Sequence, residues 1–491
     1  MKNAISALLI FCMILSSSAC SKTTKTTDAS SKTDPSKEEA VTEDIAANSD
    51  PTDKGAISDL LPIDSKNFPD PILLNYVSEN IDTDSDDFLS KEERESVKAI
   101  EINSTLQLDS LVGIEHFPNI TELYCLGGNL TSLDVSKNHA LELLDCSQNR
   151  ISDLDVSGCT NLKRVTGYGN RFHTLNVSGC SSLESLNLDM NFDDTIETLT
   201  GFSDCTNLKD LSLGKIDAQL LNISSFPKLE RLCCVVDDLS ELDLMSNPAL
   251  KELRVEGIPG PIDLSQNPEL ETLVIRPAKV GDVDLQTSLD LSHNSKLSYL
   301  EIGEINLCSI DLSNNPKLES IEIRSNHMLS ELDLSSCKNL KYLECIDNGL
   351  TSINIRNCPS LETLVCADNA LSELDISGNP NLGKLICRNN RLTSLHTGSC
   401  PLLYSLDICD NNLTSLDLSK NRALQTLTIY HNNISELNVQ NVEAFYALKD
   451  TDPNYNNGVC SYYHAEYYND NFENFDAAIY LECDSTTKVI F

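Results

Sequence analysis

Residues 82–93 read Asp82-Thr83-Asp84-Ser85-Asp86-Asp87-Phe88-Leu89-Ser90-Lys91-Glu92-Glu93. Carboxylates at loop positions 1, 3, 5 and 12, a carbonyl at 7 and a hydroxyl at 9 give the spacing of an EF-hand calcium loop. Ca2+ takes roughly six or seven hard oxygens, and Asp82, Asp84, Asp86, the Phe88 carbonyl, Ser90 and bidentate Glu93 supply them from one short loop. Position 6 ordinarily carries Gly for a sharp turn; here it is Asp87, a residue that tolerates positive φ better than most. A lone loop argues against a dockerin, which needs a duplicated pair. The segment reads either as a single Ca2+ site or as a helical cap that keeps an acidic loop without binding.

Two further residue sets invite chemistry. Lys2, the apolar run Ala7 to Leu15 and Ser16-Ser17-Ser18-Ala19-Cys20 resemble a bacterial lipoprotein signal, in which Cys20 is lipidated and becomes the mature N-terminus. Ser17 stands where such signals usually carry Leu, so an ordinary secretory signal with an incidental cysteine stays open. The apolar run is too short to span a bilayer. The second set is the 19 cysteines, none in a Cys-x-x-Cys pair, which argues against zinc. No His-Glu-x-x-His, Gly-x-Ser-x-Gly or phosphate-cradling glycine motif occurs, and the eight histidines are scattered singly, so no enzyme is expected. Lys+Arg 36 against Asp+Glu 75 gives 36 − 75 = −39, a charge that repels phosphate and speaks against nucleic acid or a basic membrane patch.

The elements that position these residues follow from composition and periodicity. After the signal (1–20), residues 21–66 are rich in Ser, Thr, Lys and Asp with few large apolar side chains, a composition that cannot bury enough surface to fold and reads as a tether. Pro69-Asp70-Pro71 opens a helix with Ile72, Leu73, Tyr76, Val77 and Ile81 near one face; the acidic loop and a second helix to about Ala99 complete a cap over 67–99.

From 100 to 441 the chain repeats, mostly every 21 residues. The motif Leu-x-Cys or its apolar equivalent falls at Leu123, Leu144, Val165, Leu186, Leu211, Leu232, Leu253, Leu273, Leu300, Ile321, Leu343, Leu364, Leu385, Leu406 and Leu427, fifteen turns in all. An Asn follows at 149, 170, 191, 326, 348, 369, 390, 411 and 432. Two apolar residues around one outward residue make a short half-buried strand. The Asn caps a turn whose amides would otherwise be buried unpaired. A second apolar pair, as in Leu133/Val135, Leu154/Val156, Leu374/Ile376 and Leu416/Leu418, forms the return side, closed by an Asn or Cys. Stacked turns bury a core that no single turn possesses. Cysteines at the strand position (Cys125, Cys146, Cys234, Cys345, Cys366, Cys387) and the return position (Cys159, Cys180, Cys205, Cys337, Cys358, Cys400) read as small core hydrophobes, whereas Cys233 and Cys409 should face solvent.

The run Leu144-Asp145-Cys146-Ser147-Gln148-Asn149 and its repeats resemble the internalin-J-like leucine-rich repeats of Gram-positive bacteria. The resemblance spans 67–441. It implies a right-handed α/β-type solenoid with a parallel sheet on one face, a ladder of free thiols, an EF-hand-like N-terminal cap, and a surface protein of the adhesion class. The family's usual cell-wall sorting signal is not seen at Thr487-Lys488-Val489-Ile490-Phe491, so lipid on Cys20 is the expected anchor.

Residues 442–491 change composition and hold seven of the fourteen tyrosines. Tyr480 to Phe491 reads as a β-hairpin within a C-terminal cap, and Cys460 and Cys483 are candidates for pairing. On each strand the residues flanking the inward position should reach solvent. Polar groups are expected there, as at Asp145 and Ser147, but Ile346, Val365, Ala367 and Ile386 are apolar and predict an exposed patch rimmed by Tyr342, Glu344, Lys384 and Arg388. These eight residues are the candidate ligand site; the alternative is that β-branched residues sit there for strand propensity. The resulting expectation is a monomeric, lipid-anchored binding protein on the outer face of the membrane, or otherwise secreted, with one Ca2+ site and a protein ligand, a glycan being the alternative.

Overall fold

The computed structural model describes residues 59–103, 108–189, 195–238, 242–258, 262–277, 287–445, 480–483 and 487–490, and Cys20 lies outside them. All belong to one compact unit that spans 59–463 and 479–491. No helix among the described residues is long and apolar enough to cross a membrane.

The cap starts earlier and ends earlier than its sequence pattern suggests. Leu61–Pro62 pairs antiparallel with Phe88–Leu89, so residues 59–66 belong to the cap rather than to the tether. Helix α1 spans Pro71–Asn80: Asp70 accepts the Ile72 amide at 2.8 Å, Pro71 presets the first turn, and Leu73 and Val77, four apart, point into the core. Helix α2 is only Lys91–Ser96, opened by a reciprocal capping box between Ser90 and Glu93. It stops where Val97 turns extended, and Ala99–Glu101 is already a strand. The second Asp70 oxygen accepts the amides of Asp109 and Ser110 at 2.8 and 3.0 Å, tying the cap to the first repeat. Phe68 stacks on Phe117 there at 6.1 Å. Gly113, at φ 111°, leaves room for that ring, which a Cβ would approach to 2.5 Å.

Each of the fifteen motif residues pairs with its counterpart in the next turn, from Ile100↔Leu123 to Leu427↔Leu481, in one parallel register. No pairing among the described residues joins the first of these strands to the last, so the sheet is open. Three strands whose motif is not followed by Asn run on to seven or eight residues (Asp210–Ile216, Arg231–Asp238, Glu252–Ile258), although Glu122–Tyr124, which also lacks it, has three; where the Asn is present, most stop after three. The return side carries shorter parallel ladders, the longest joining strands 132–134, 153–155, 174–176 and 198–200. Between the two sides a single apolar cluster runs from Phe68 to Val489, with the predicted cysteines at both positions buried in it.

The Asn column does more than cap its own turn. Asn390 donates to the Cys387 and Arg388 carbonyls and to that of Cys366 in the preceding turn (3.1, 3.2 and 2.9 Å), while its carbonyl accepts the Leu371 amide at 3.0 Å. Asn149, Asn170, Asn369, Asn411 and Asn432 repeat the pattern. Asn191 lies outside the described residues. Gly167 breaks the strand cysteine run for a steric reason: its Cβ would lie 3.0 Å from the buried ring of Phe172.

The C-terminal hairpin is corrected. Tyr480–Glu482 pairs parallel with Thr426–Thr428, and Lys488–Ile490 pairs parallel with Glu436–Asn438. The two segments are the strand and return sides of one more turn, because the apolar residues Leu481 and Val489 continue the two core columns. Cys483 is disulfide-bonded, and Cys460, its candidate partner, lies outside the described residues.

Asn390→Ala strips four hydrogen bonds, two of which reach the preceding turn, and each buried group left unpaired costs about 1–3 kcal/mol. Urea denaturation should show a loss of several kcal/mol, against about 0.5 kcal/mol or less for Asn381→Ala, whose exposed amide makes one bond to Pro359. Equal losses would remove the Asn column from its structural role.

Candidate functional site

The outward side chains of the strand face sort into three zones. In the middle, neighbouring turns at the same register place opposite charges side by side. Arg231 bridges Asp210 and Glu252 at 3.0 and 3.4 Å, and Arg254 joins Glu252 at 2.5 Å. Arg276 reaches Glu256 at 3.8 Å and the buried Glu301 at 2.5 Å. Tyr299 donates toward both Glu301 and Glu322 (3.0 and 2.8 Å), Arg324 holds Glu322 at 2.7 Å and also Glu344, and Tyr342 donates to Glu344 at 2.6 Å. Burial and the adjoining carboxylates push the Tyr299 and Tyr342 phenols far up, and burial raises Glu322 against the pull of Arg324. Each of these Arg and Tyr side chains thus has a carboxylate partner. The signal was present in the sequence as Asp210, Arg231 and Glu252 at successive 21-residue steps, but a single turn does not reveal it.

The second zone corrects the predicted exposed patch. Val365, Ala367 and Ile386 do come together, with half-buried Ile346 against them, but they are 5, 0 and 7% exposed. Strands about 4.8 Å apart put equivalent branched side chains in contact, so a run of them screens itself. Of the rim, Tyr342 and Glu344 belong to the charged network instead. Lys384 is half-buried, and its amine is lowered by burial against the pull of Glu344. Arg388 faces Asp407 at 3.4 Å. Ser147, expected outside, is buried beneath Asp145, which accepts its amide and hydroxyl at 3.1 and 2.6 Å.

The third zone is a groove of about 550 Å³ at the N-terminal end of the face, bordered by Glu101, Asn103, Tyr124, Leu126, Asp145 and Gln148. Sequence reasoning missed it, because its walls come from three consecutive strands and the turns that follow them.

In the cap, Asp82, Asp84 and Asp86 offer oxygens within 4.8 Å of one another. Asp82 accepts the amides of Ser85, Asp86 and Asp87 at 2.8, 3.3 and 3.2 Å, and Asp87 takes φ 62°, the conformation that Gly usually supplies. Asp84 is raised by burial and by repulsion from Asp86, Glu93 and Asp82. Glu93 departs from the predicted bidentate role. One oxygen accepts the Thr83 amide and hydroxyl (2.7 and 2.6 Å), and the other accepts the Ser90 amide and hydroxyl (both 2.9 Å). Burial pushes this carboxyl up, but those donors outweigh it and hold it at about 2. Phe88 is exposed, and Ser90 spends its hydroxyl on the helix cap. The three aspartates fit a hard divalent cation; Glu93 is committed elsewhere.

The thiols form no bridge among the fifteen described free cysteines. Burial pushes Cys146 and Cys366 up to about 12 and raises Cys345 and Cys387 well above the ordinary thiol value. Cys409, expected in solvent, is buried, because Asp407 and Tyr430 close around it.

No known family profile matches the chain, and no curated protein does. Among solved structures, the functional domain of InlJ from Listeria monocytogenes, which includes a cysteine ladder, is 25% identical with a TM-score of 0.62, covering 77% of each chain. The chain is a leucine-rich-repeat solenoid. The InlF internalin of the same organism (22% identity, TM-score 0.53, 71% of this chain and 98% of that one) shares the solenoid fold. So does a leucine-rich-repeat protein of Leptospira interrogans (17%, 0.53, 73% and 88%).

Native protein treated with iodoacetamide should be labelled first at half-buried Cys308, slowly at Cys233, whose thiol burial raises to about 12, and not at Cys146, Cys345, Cys366, Cys387 or Cys409. Mass spectrometry finding Cys366 and Cys308 equally modified would overturn the burial of the column. Glu93 is held below its ordinary value, so its contribution is complete above about pH 4.5 and is lost as pH falls toward 2. The protection of the Thr83 and Ser90 amides, read as exchange relative to the intrinsic rate at each pH, should fall over that window and lose this pH dependence in Glu93→Gln.

Proposed function

We propose that this protein is a non-catalytic binding protein of the cell surface that recognises a protein partner on the strand face of its solenoid. The observation that carries the reading is the central network, where Tyr299, Tyr342, Arg276 and Arg324 are pinned by carboxylates on consecutive strands. Tyr and Arg dominate binding energy at protein interfaces, and side chains already immobilised lose little entropy on association. The similarity to the InlJ domain supports a bacterial surface setting. Cys20 is the residue through which lipid would hold the chain to the membrane, and the 21–58 segment would give the solenoid reach. In the cap, Asp82, Asp84 and Asp86 would hold one Ca2+, relieving their mutual repulsion and stiffening the first turn.

An array of purified extracellular proteins and glycans probed with the full chain tests the reading. A protein hit should be lost with Thr363→Arg/Ser405→Arg, which plants bulk on the strand face without touching the core, and kept with Asp311→Asn/Asp333→Asn on the return side. Glycan hits alone, or protein hits indifferent to the strand-face pair, would overturn it. Millimolar Ca2+ should slow amide exchange in α1 and the 82–87 loop by linkage, and Asp84→Asn should abolish the effect; identical exchange in Ca2+ and in chelator would remove the metal from the cap.

A further inference from the structure

We infer that the groove at the N-terminal end of the strand face receives a basic side chain, arginine or lysine, from a segment of the partner protein. This rests on the strand-face reading above and names the chemistry of one part of that face. The groove is bordered by Glu101, Asn103, Tyr124, Leu126, Asp145 and Gln148, with a volume of about 550 Å³, ample for a guanidinium and its stem. Among the described residues, no Lys or Arg borders it.

The contrast with the middle of the same face is the argument. There, Glu252, Glu256, Glu301, Glu322 and Glu344 each have an Arg within 4 Å. At the N-terminal end, Glu101, Glu122 and Asp145 enter no ion pair among the described residues, although the three stand on consecutive paired strands. All three carboxylates act on the Tyr124 phenol: its hydroxyl donates to Glu122 at 3.3 Å, and burial together with Glu122, Glu101 and Asp145 raises it. Gln148 donates its side-chain amide N–H to the Tyr168 hydroxyl at 2.8 Å, which leaves its carbonyl as an acceptor beside the groove. The groove is thus a wall of acceptors around a phenol ring. Carboxylates match the donor fork of a guanidinium, and an aromatic face attracts the cation. A neutral sugar would leave the Glu101 and Asp145 carboxylates without a counter-charge, and an anion would be repelled. The charge of −39 steers basic segments toward the protein, and the groove gives them a place to dock.

The probe is a blocked Gly-Arg-Gly-Arg-Gly peptide, titrated into the full chain by calorimetry, beside its citrulline counterpart, which keeps the shape and loses the charge. Binding of the Arg peptide should weaken about tenfold or more in Glu101→Gln/Asp145→Asn, and the citrulline peptide should bind at least about tenfold more weakly than the Arg peptide. Asn at 145 retains the acceptor for Ser147, so the turn is preserved. Asp311→Asn/Asp333→Asn removes the same charge from the return side and should leave affinity unchanged. Equal weakening in both pairs would show diffuse attraction and overturn the groove, as would equal binding of the citrulline peptide or no binding of either. Weakening confined to Thr363→Arg/Ser405→Arg would also overturn it while leaving the strand-face reading intact. Affinity indifferent to every strand-face change would overturn the groove too, and the strand-face reading would then stand or fall on the protein array alone.

Discussion

A 21-residue turn is too short to hide its own backbone polar groups, and the solenoid depends on how they are paired across turns. The Asn column meets that constraint. Most of these side chains donate to carbonyls in their own turn and the preceding one and accept an amide nineteen residues upstream, as Asn411 does with Leu392; Asn348 accepts the Asn326 amide instead. An unpaired buried amide costs more than a single such bond contributes, so this column, rather than strand propensity, holds three-residue strands in register. Where it is missing, between Asp210 and Ile258, longer strands pair the backbone instead.

The return side meets the same constraint with a mixed column. Asn247, Asn267, Asn294, Asn315 and Asn379 each donate twice to carbonyls of the preceding turn. Their own side-chain oxygens find no partner among the described residues. Cys180, Cys358 and Cys400 occupy equivalent positions and point a thiol at the same carbonyls (3.3, 3.3 and 3.7 Å). A thiol offers a weaker donor and no unsatisfied oxygen, which accounts for the two residue types exchanging there. Asn421 alone of this column has its oxygen satisfied, by Thr397 at 2.6 Å, where other turns carry an aliphatic residue.

Stacking also organises the surface. Because equivalent residues sit one strand apart, any column of like character reinforces itself: Lys163 with Glu142, Lys209 with Glu184, Lys251 with Glu230 and Lys341 with Glu319 pair along one edge at 2.6–2.7 Å. Exposed pairs of this kind contribute little individually. On the strand face the same geometry produces a centre of paired Arg and Glu and an acidic groove bordered by no cation among the described residues, so one face presents two kinds of chemistry.

Period, register and inward residues were all legible in the sequence, because each turn must bury the same columns and a mismatch would place polar groups in the core. The Asn positions, the burial of the cysteines, α1 and the left-handed Asp87 were likewise readable from local chemistry. What the turns do to one another was not. Val365, Ala367 and Ile386 alternate as outward residues do, yet contact across strands buries them. Glu93 has the spacing of a cation ligand, yet Thr83 and Ser90 claim both its oxygens. Tyr480 to Ile490 looks like a hairpin, yet its two segments add to different ladders because an unfinished solenoid offers each an open edge. The groove at Tyr124 exists only once successive strands are stacked. Local sequence sets which way each residue points; only the neighbouring turn, about 4.8 Å away, decides whether it meets water, an apolar partner or an opposite charge.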